Sequence, residues 1–310
     1  MFTRFFIALG TACLVPTRKR NHNGYFLKWD KEGFLFDPGE GTQRQLEIAG
    51  ISVFDITKIF ITHFHGDHCL GLPGILQKIS INRVPHTIEL YYPETGQKYI
   101  NHLKEASVFH NFAQINECAI QHQGVIFKNQ QLQIRALSLD HPIDTFGYRI
   151  QEYDTISIIP EKIANLGLSG QEIGRLKKEG QIEHNQQIIH LSDVGIPKKG
   201  QSIAFIMDTC YCDAAVELAE NVNLMVCEST YLSQDSALAS QNKHLTALQA
   251  AEIAHKANAK QLVLTHFSNR YLNIVDFADE AKKIHLNSVA VQDGDCIEIP
   301  LQKRFEPEPS

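Results

Sequence analysis

Seven consecutive residues, Thr62-His63-Phe64-His65-Gly66-Asp67-His68, set three imidazoles and a carboxylate within one short stretch. Imidazole nitrogen and carboxylate oxygen are the ligands that divalent zinc takes, and four of them together exceed what one catalytic zinc with an open position uses. The stretch therefore points to two metals. It follows Lys58-Ile59-Phe60-Ile61, a β-branched and aromatic run that reads as a buried strand. Alternate residues of an extended chain point the same way, so His63, His65 and Asp67 are expected on one side, with His68 brought round by a turn at Gly66.

Further ligands are expected where other apolar strands stop. Residues Ile203 to Met207 end at Asp208, Leu224 to Cys227 at Glu228, Gln261 to Leu264 at Thr265-His266, and Gln131 to Leu139 at Asp140-His141. In layered α/β proteins such strand ends are where sites are built. A lone histidine at a strand end is usually a hydrogen-bonded structural residue, so each position gains its meaning from the first cluster. Two histidines of that cluster with His141 make one half of a dinuclear shell. Asp67, His68 and His266 make the other, and Asp208 bridges them. Two metals so held share a hydroxide nucleophile and clamp both oxygens of an in-line phosphoryl displacement.

The positioning elements are short strands alternating with amphipathic helices. The chain opens with strands ending near Gly10-Thr11, at Gly24 to Trp29 and at Gly33 to Asp37, joined by tight turns that imply an antiparallel start. A helix is expected from Gly41 to about Ala49 and others across Ile75 to Ile79, Gly96 to Ala106, Ala214 to Glu220, Thr246 to Ala257 and Val275 to Ile284. Strands are expected at Ile88 to Tyr92 and Phe146 to Ile150. The stretch from about Pro160 to Lys199 breaks this alternation, shows no core-like apolar run and reads as an excursion from the domain, with a helix returning to the core as the alternative. The tail, 305–310, is expected to be disordered.

With 310 residues, 43% of them hydrophobic, the chain can bury a core without staples, as one large domain or one with an insertion. Its 35 acidic against 29 basic residues give a net charge of -6, which argues against general affinity for polyanions. A nucleic acid would have to be held by local basic patches. Seven scattered cysteines lack the spacing of a disulfide framework and fit a reducing cytoplasm. The first 13 residues have an apolar, signal-like stretch, but Arg18-Lys19-Arg20 follows where a cleavage region would be uncharged, so a buried first strand is expected. No segment has the length of a membrane span.

The order of the metal motif, then His141, Asp208 and His266, resembles the metallo-β-lactamase superfamily. Within it, further motifs are most similar to the ribonuclease Z family in its short bacterial form. These are Pro16-Thr17-Arg18-Lys19-Arg20-Asn21, Phe36-Asp37-Pro38-Gly39-Glu40-Gly41-Thr42-Gln43, His65-Gly66-Asp67-His68 with Gly71-Leu72-Pro73-Gly74, Phe146-Gly147-Tyr148-Arg149, Glu228-Ser229-Thr230 and Leu264 to Tyr271. The resemblance spans nearly the whole chain. It implies an α/β fold, a four-layer αββα metallo-β-lactamase-type sandwich with an inserted flexible arm at about 160–199. It also implies a zinc-dependent endoribonuclease that removes the 3′ trailer of precursor tRNA, leaving a 3′-hydroxyl on the tRNA and a 5′-phosphate on the trailer.

The implied metal ligands are His63, His65, Asp67, His68, His141, Asp208 and His266. They would hold two zinc ions per chain, with manganese as the alternative. Asp67 would also accept a proton from the attacking water, and Glu228 with His244 would relay one to the leaving group. Arg18, Lys19, Arg20 and Asn21 would receive the 3′ end, with Phe146 and Arg270 as further substrate contacts. Arg175, Lys177 and Lys178 would lie on an arm gripping the tRNA elbow. A cytoplasmic homodimer, in which one subunit's arm serves the other's site, completes the expectation. The chain departs from the family pattern at Ala12, where a second glycine is usual, and at Cys210 for Arg and Leu245 for Ser. Its arm has Ser169-Gly170-Gln171-Glu172 where a Gly-Pro pair is usual. Two rival classes are another metallo-hydrolase of this fold acting on small phosphodiesters or esters, and a non-catalytic RNA-binding relative, which should have lost ligands.

Overall fold

The computed structural model describes residues 4–299, so the tail at 305–310 lies outside the described residues. Contact density divides the chain into a large unit, which carries most of the sequence, and a smaller one formed by Asn129–Gln133 and Gln151–Gln201.

The large unit is built on two seven-stranded sheets. The first runs in spatial order Cys296–Glu298, Arg4–Gly10, Gly24–Trp29, Glu32–Phe36, Lys58–Phe60, Ile88–Pro93 and Ile115–Ile120. Its opening strands pair antiparallel, and from Glu32–Phe36 onward the pairs are parallel. Arg4–Gly10 is thus an inner strand, paired with Gly24–Trp29 and with Cys296–Glu298. The second sheet runs Ser288–Ala290, Leu262–Thr265, Leu224–Glu228, Ser202–Ile206, Phe146–Glu152, Leu132–Ser138 and Gly124–Lys128.

Strand alternation explains the layering, because successive side chains point to opposite faces and both faces are apolar. Phe26, Leu35, Ile59 and Leu90 meet Leu46, Leu72, Ile75, Leu76 and Ile100 of the outer helices. Among their sequence neighbours, the aromatic rings of Tyr25, Phe36 and Phe60 face the other sheet. Phe36 stacks on Phe205 at 4.4 Å between ring centres, and Phe60 lies 5.0 Å from Tyr148. On the far side, Ala204, Ile206, Met225, Cys227, Leu262 and Leu264 pack against the helices Asp213–Ala219, Ala247–Lys256 and Val275–Ala281. The result is the four-layer αββα sandwich.

Alanine on the inner face of Ala247–Lys256 lets that helix lie close to its sheet, and the helix begins in a capping box. Thr246 Oγ1 accepts from the Gln249 amide at 3.2 Å, and the Gln249 side chain accepts from the Thr246 amide at 3.0 Å. That cap fixes the chain two residues after His244. Glycine is required where the loop at 37–41 meets the turn at 66–71. A Cβ on Gly71 would lie 1.9 Å from the carbonyl oxygen of Gly39, and one on Gly39 would lie 2.2 Å from that of Asp67.

The smaller unit has a core that no apolar run in its sequence marks. Two helices, Pro160–Leu166 and Gly170–Glu179, and two antiparallel strand pairs bury Ile163, Leu168, Leu176, Ile182, Ile189 and Val194 together. Each short element gives one or two apolar side chains, so no run marks them in the sequence. The unit also extends beyond 160–199 on both sides. On the helix Gly170–Glu179, Arg175 pairs with Glu179 one turn on, while Lys177 and Lys178 are exposed and have no ion pair among the described residues.

Candidate metal centre

Every residue of the metal motif lies in the large unit, at or just beyond the end of a strand. The structure differs from simple alternation at the first cluster. The strand stops at Phe60, and a helical turn, Gly66–Cys69, starts directly after His65. His63 and His65 therefore stay on one side, while Asp67 and His68 swing to the other.

Asp208 stands between the two groups. Its Oδ2 lies 3.5 Å from His63 Nε2 and 3.8 Å from His141 Nε2, and its Oδ1 lies 3.3 Å from His68 Nε2 and 3.1 Å from His266 Nε2. His65 Nδ1 completes the first group, 3.0 Å from His63 Nε2 and 3.4 Å from His141 Nε2. Asp67 Oδ2 adjoins the second, 3.5 Å from His68 Nε2 and 3.7 Å from His266 Nε2.

Partners on the far ring nitrogens decide what these imidazoles present inward. The Thr62 hydroxyl donates to Asp37 Oδ2 at 2.8 Å and so accepts from His63 Nδ1 at 2.9 Å. His68 Nδ1 donates to the same carboxylate oxygen at 2.8 Å. His141 Nδ1 donates to the Lys243 carbonyl at 3.1 Å. The Thr230 hydroxyl donates to Glu228 Oε2 at 2.6 Å and accepts from His266 Nδ1 at 2.8 Å. Four Nε2 lone pairs thus converge on a carboxylate. Asp208 Oδ1 and His266 Nε2 are buried and have no hydrogen-bond partner. Acceptors packed against acceptors away from water are satisfied by cations, and a divalent metal fits this donor set.

Charge in the centre follows from burial and neighbours. Burial opposes ionisation of Asp208, but His266, His68, His63 and His244 outweigh it and hold the carboxyl well below the usual range. Burial, with the adjoining imidazole of His68, pushes His63 down, which keeps it neutral as a ligand must be. Asp37, Asp208 and His266 all have positive φ, at 44°, 44° and 61°. Such backbone costs about 1–3 kcal/mol per non-glycine residue and clusters at functional sites. Here it turns the chain sharply off each strand end.

Beside the metal groups, Glu228 is fully buried and accepts from His244 Nδ1 at 2.9 Å, from the Thr209 amide at 2.8 Å and from Thr230. Burial works against a charged His244, but the charge and hydrogen bond of Glu228 outweigh it and push the imidazole up to about 9. The pair is a carboxylate holding a protonated imidazole, which is a proton donor at neutral pH.

The expected substrate residues are placed unevenly. Arg18 and Lys19 are exposed and line a cavity of about 480 Å³ with Thr17, Tyr271, Leu272, Asn273 and Ile274. Arg20 is 8% exposed, and its guanidinium donates to the carbonyls of Ser268 and Tyr271, so it braces that loop. Asn21 likewise holds backbone, through Glu40 and His22. Phe146 is buried but lines a cleft with His141 and Thr145. Arg270 pairs with Asp235 at 3.0 Å.

Sequence reasoning missed Asp37, Thr62 and Thr230 as positioning groups, and Asn23, whose amide donates to Asp67 Oδ2 at 3.3 Å. Asp37 was findable, because it ends the apolar strand Glu32–Phe36 as Asp208 ends another. Its buried carboxylate accepts from the Thr62 amide, the Thr62 hydroxyl and His68. Asp37→Asn weakens the acceptor of His68 and the anchor of the Thr62 hydroxyl, which in turn accepts from His63. Metal affinity should fall about 10- to 100-fold, as read by chelator competition.

Two family models match the chain, Metallo-beta-lactamase superfamily over residues 17–128 and Beta-lactamase superfamily domain over residues 181–267. Ribonuclease Z of Nocardia farcinica is 45% identical over 305 residues, spanning 98% of this chain and all of the relative. Ribonuclease Z of Chlamydia trachomatis is also 45% identical, over 94% of this chain and 96% of the relative. Among solved structures, human tRNase Z, short form, superposes with a TM-score of 0.68 at 26% identity, covering 96% of this chain and all of that one.

Proposed function

The chain belongs to the ribonuclease Z family of the metallo-β-lactamase superfamily, and we propose on that premise that it is a metal-dependent endoribonuclease that removes the 3′ trailer from precursor tRNA. The observation that carries this reading is the Asp208 carboxylate, with one oxygen toward His63 and His141 and the other toward His68 and His266. That arrangement supports two divalent ions, zinc by its ligand chemistry and manganese as the alternative, with His65 on the first and Asp67 on the second. When bound, they supply Lewis acidity that activates water and neutralises charge on the phosphate.

The protein's own groups do the rest. Asp67 is oriented by the Leu14 amide, which donates to its Oδ2 at 2.7 Å, and accepts the proton of the attacking water. The bond that breaks joins phosphorus to the 3′-oxygen of the tRNA, and His244, charged against Glu228, protonates that oxygen. The tRNA leaves with a 3′-hydroxyl and the trailer keeps a 5′-phosphate. Arg18 and Lys19 offer free cations to the 3′ end, Lys177 and Lys178 of the smaller unit offer them to the folded tRNA body, and Arg175 adds a cation shared with Glu179. A cytoplasmic homodimer follows the family expectation. No helix among the described residues is long and apolar enough to cross a membrane.

Reconstitution with excess zinc, followed by desalting, should give two metals per chain by elemental analysis. A reproducible value near one would remove the dinuclear reading. Activity against small phosphodiesters or esters is the competing function. It predicts comparable kcat/KM for a chromogenic phosphodiester and for precursor tRNA, whereas the proposal predicts a preference for tRNA of at least about 10³.

A further inference from the structure

Among the described residues, one cysteine stands with metal-facing side chains. The ligand atoms of Cys13, Asp67 and His266 all lie within 4.8 Å of one another. Backbone hydrogen bonds fix this approach. The Cys13 amide donates to the Phe267 carbonyl at 3.1 Å, the Phe267 amide donates to Thr11 at 2.8 Å, and the next amide, of Leu14, donates to Asp67 Oδ2. The loop is therefore tied to the His266 strand end and to Asp67 together. His266 Nε2, fully buried and without a hydrogen-bond partner, marks the same space as one that wants a cation.

We propose that Cys13 supplies a thiolate to the metal held by Asp67, His68 and His266, which makes this half of the centre select thiophilic ions such as zinc over oxygen-preferring manganese. On ligation the thiol loses its proton to solvent and its sulfur lone pair goes to the cation. Cysteine is a soft ligand and manganese a hard ion, so the added sulfur raises zinc affinity with little effect on manganese. The inference rests on the metal-binding reading of the site, and its test separates the two.

Cobalt(II) replaces zinc in the metal-free wild type, Cys13→Ala, Cys13→Ser and a Cys69→Ser control. Cys69 is the control because its thiol donates to the His65 carbonyl, outside the metal groups. Visible d–d bands are expected in all four proteins. A near-ultraviolet sulfur-to-cobalt charge-transfer band is expected in the wild type and Cys69→Ser only. The weaker zinc site of Cys13→Ala should lose about 10- to 100-fold in affinity while manganese binding stays within about threefold. A charge-transfer band missing from the wild type, or persisting in Cys13→Ala, overturns the thiolate while leaving the metal centre in place. Absence of d–d bands from every protein overturns both. Alkylation of the unaltered protein gives a readout free of any folding defect. Bound zinc should shield the Cys13 peptide from iodoacetamide, and equal labelling with and without zinc would refute the ligation.

Discussion

Replacing Asp67 with alanine should lower kcat for precursor tRNA by about 10³-fold or more while changing tRNA affinity by less than about threefold. Asp67 is 6% exposed, accepts from Leu14 and Asn23, and borders His68 and His266. Burial opposes its ionisation, yet the adjoining imidazoles of His68 and His266 outweigh it and keep the carboxyl far below its ordinary range. On the proposed reading it is thus a fixed anion beside the reacting phosphate, while other groups hold the RNA. Single-turnover kinetics with filter binding on the same preparation separates the two quantities. Asp67→Asn, nearly isosteric, guards against a folding defect. A variant that kept its metal and its rate would end the assignment of Asp67 as proton acceptor.

The smaller unit should show the opposite pattern. Exchanging residues 160–199 for a Gly/Ser linker is expected to weaken precursor tRNA binding about 100-fold and to flatten its salt dependence. Each phosphate neutralised contributes about 0.7–0.9 to the slope of log K against log salt. With a net charge of -6 the protein must concentrate its phosphate contacts, and none of the metal-facing residues belongs to this unit. Hydrolysis of a small chromogenic phosphodiester, where the intact protein shows it, should persist. Because the unit has its own core of Ile163, Leu176, Ile182 and their neighbours, a gentler variant is also informative. Lys177→Glu with Lys178→Glu leaves that core untouched and should reproduce the shallower slope. Equal loss of both activities would make the segment a support for the large unit, and unchanged tRNA cleavage would deny it a binding role.

Much of this architecture was readable because one rule recurs. An apolar strand of four to six residues ends in a residue that has no business in a core, as at Met207-Asp208, Cys227-Glu228 and Thr265-His266, and the parallel pairing of these strands carries their ends to one edge. The same rule covers Asp37, which was passed over because it carries no second ligand nearby in the sequence. What stayed hidden depends on three-dimensional bookkeeping of hydrogen bonds. Arg20 and Asn21 look like substrate groups in a basic loop, but their polar atoms brace backbone. The positive φ at Asp37, Asp208 and His266 has no signature in residue type, since none is glycine. The core of the smaller unit was invisible because no periodic run links Ile163, Leu168, Leu176 and Ile189. Cys13 reads as one of seven scattered thiols until the fold brings it to Asp67.

The account stands most directly on where the RNA is cut. Metal-loaded protein, incubated with a precursor tRNA bearing a 3′ trailer, should release a tRNA body ending in a 3′-hydroxyl at the junction with the trailer, and a trailer that starts with a 5′-phosphate. Chelation should abolish the cut, and zinc should restore it. Terminal mapping of both fragments decides the matter. Cleavage within the tRNA body, a 3′-phosphate on the product, or an intact precursor alongside brisk hydrolysis of a small phosphodiester would contradict it.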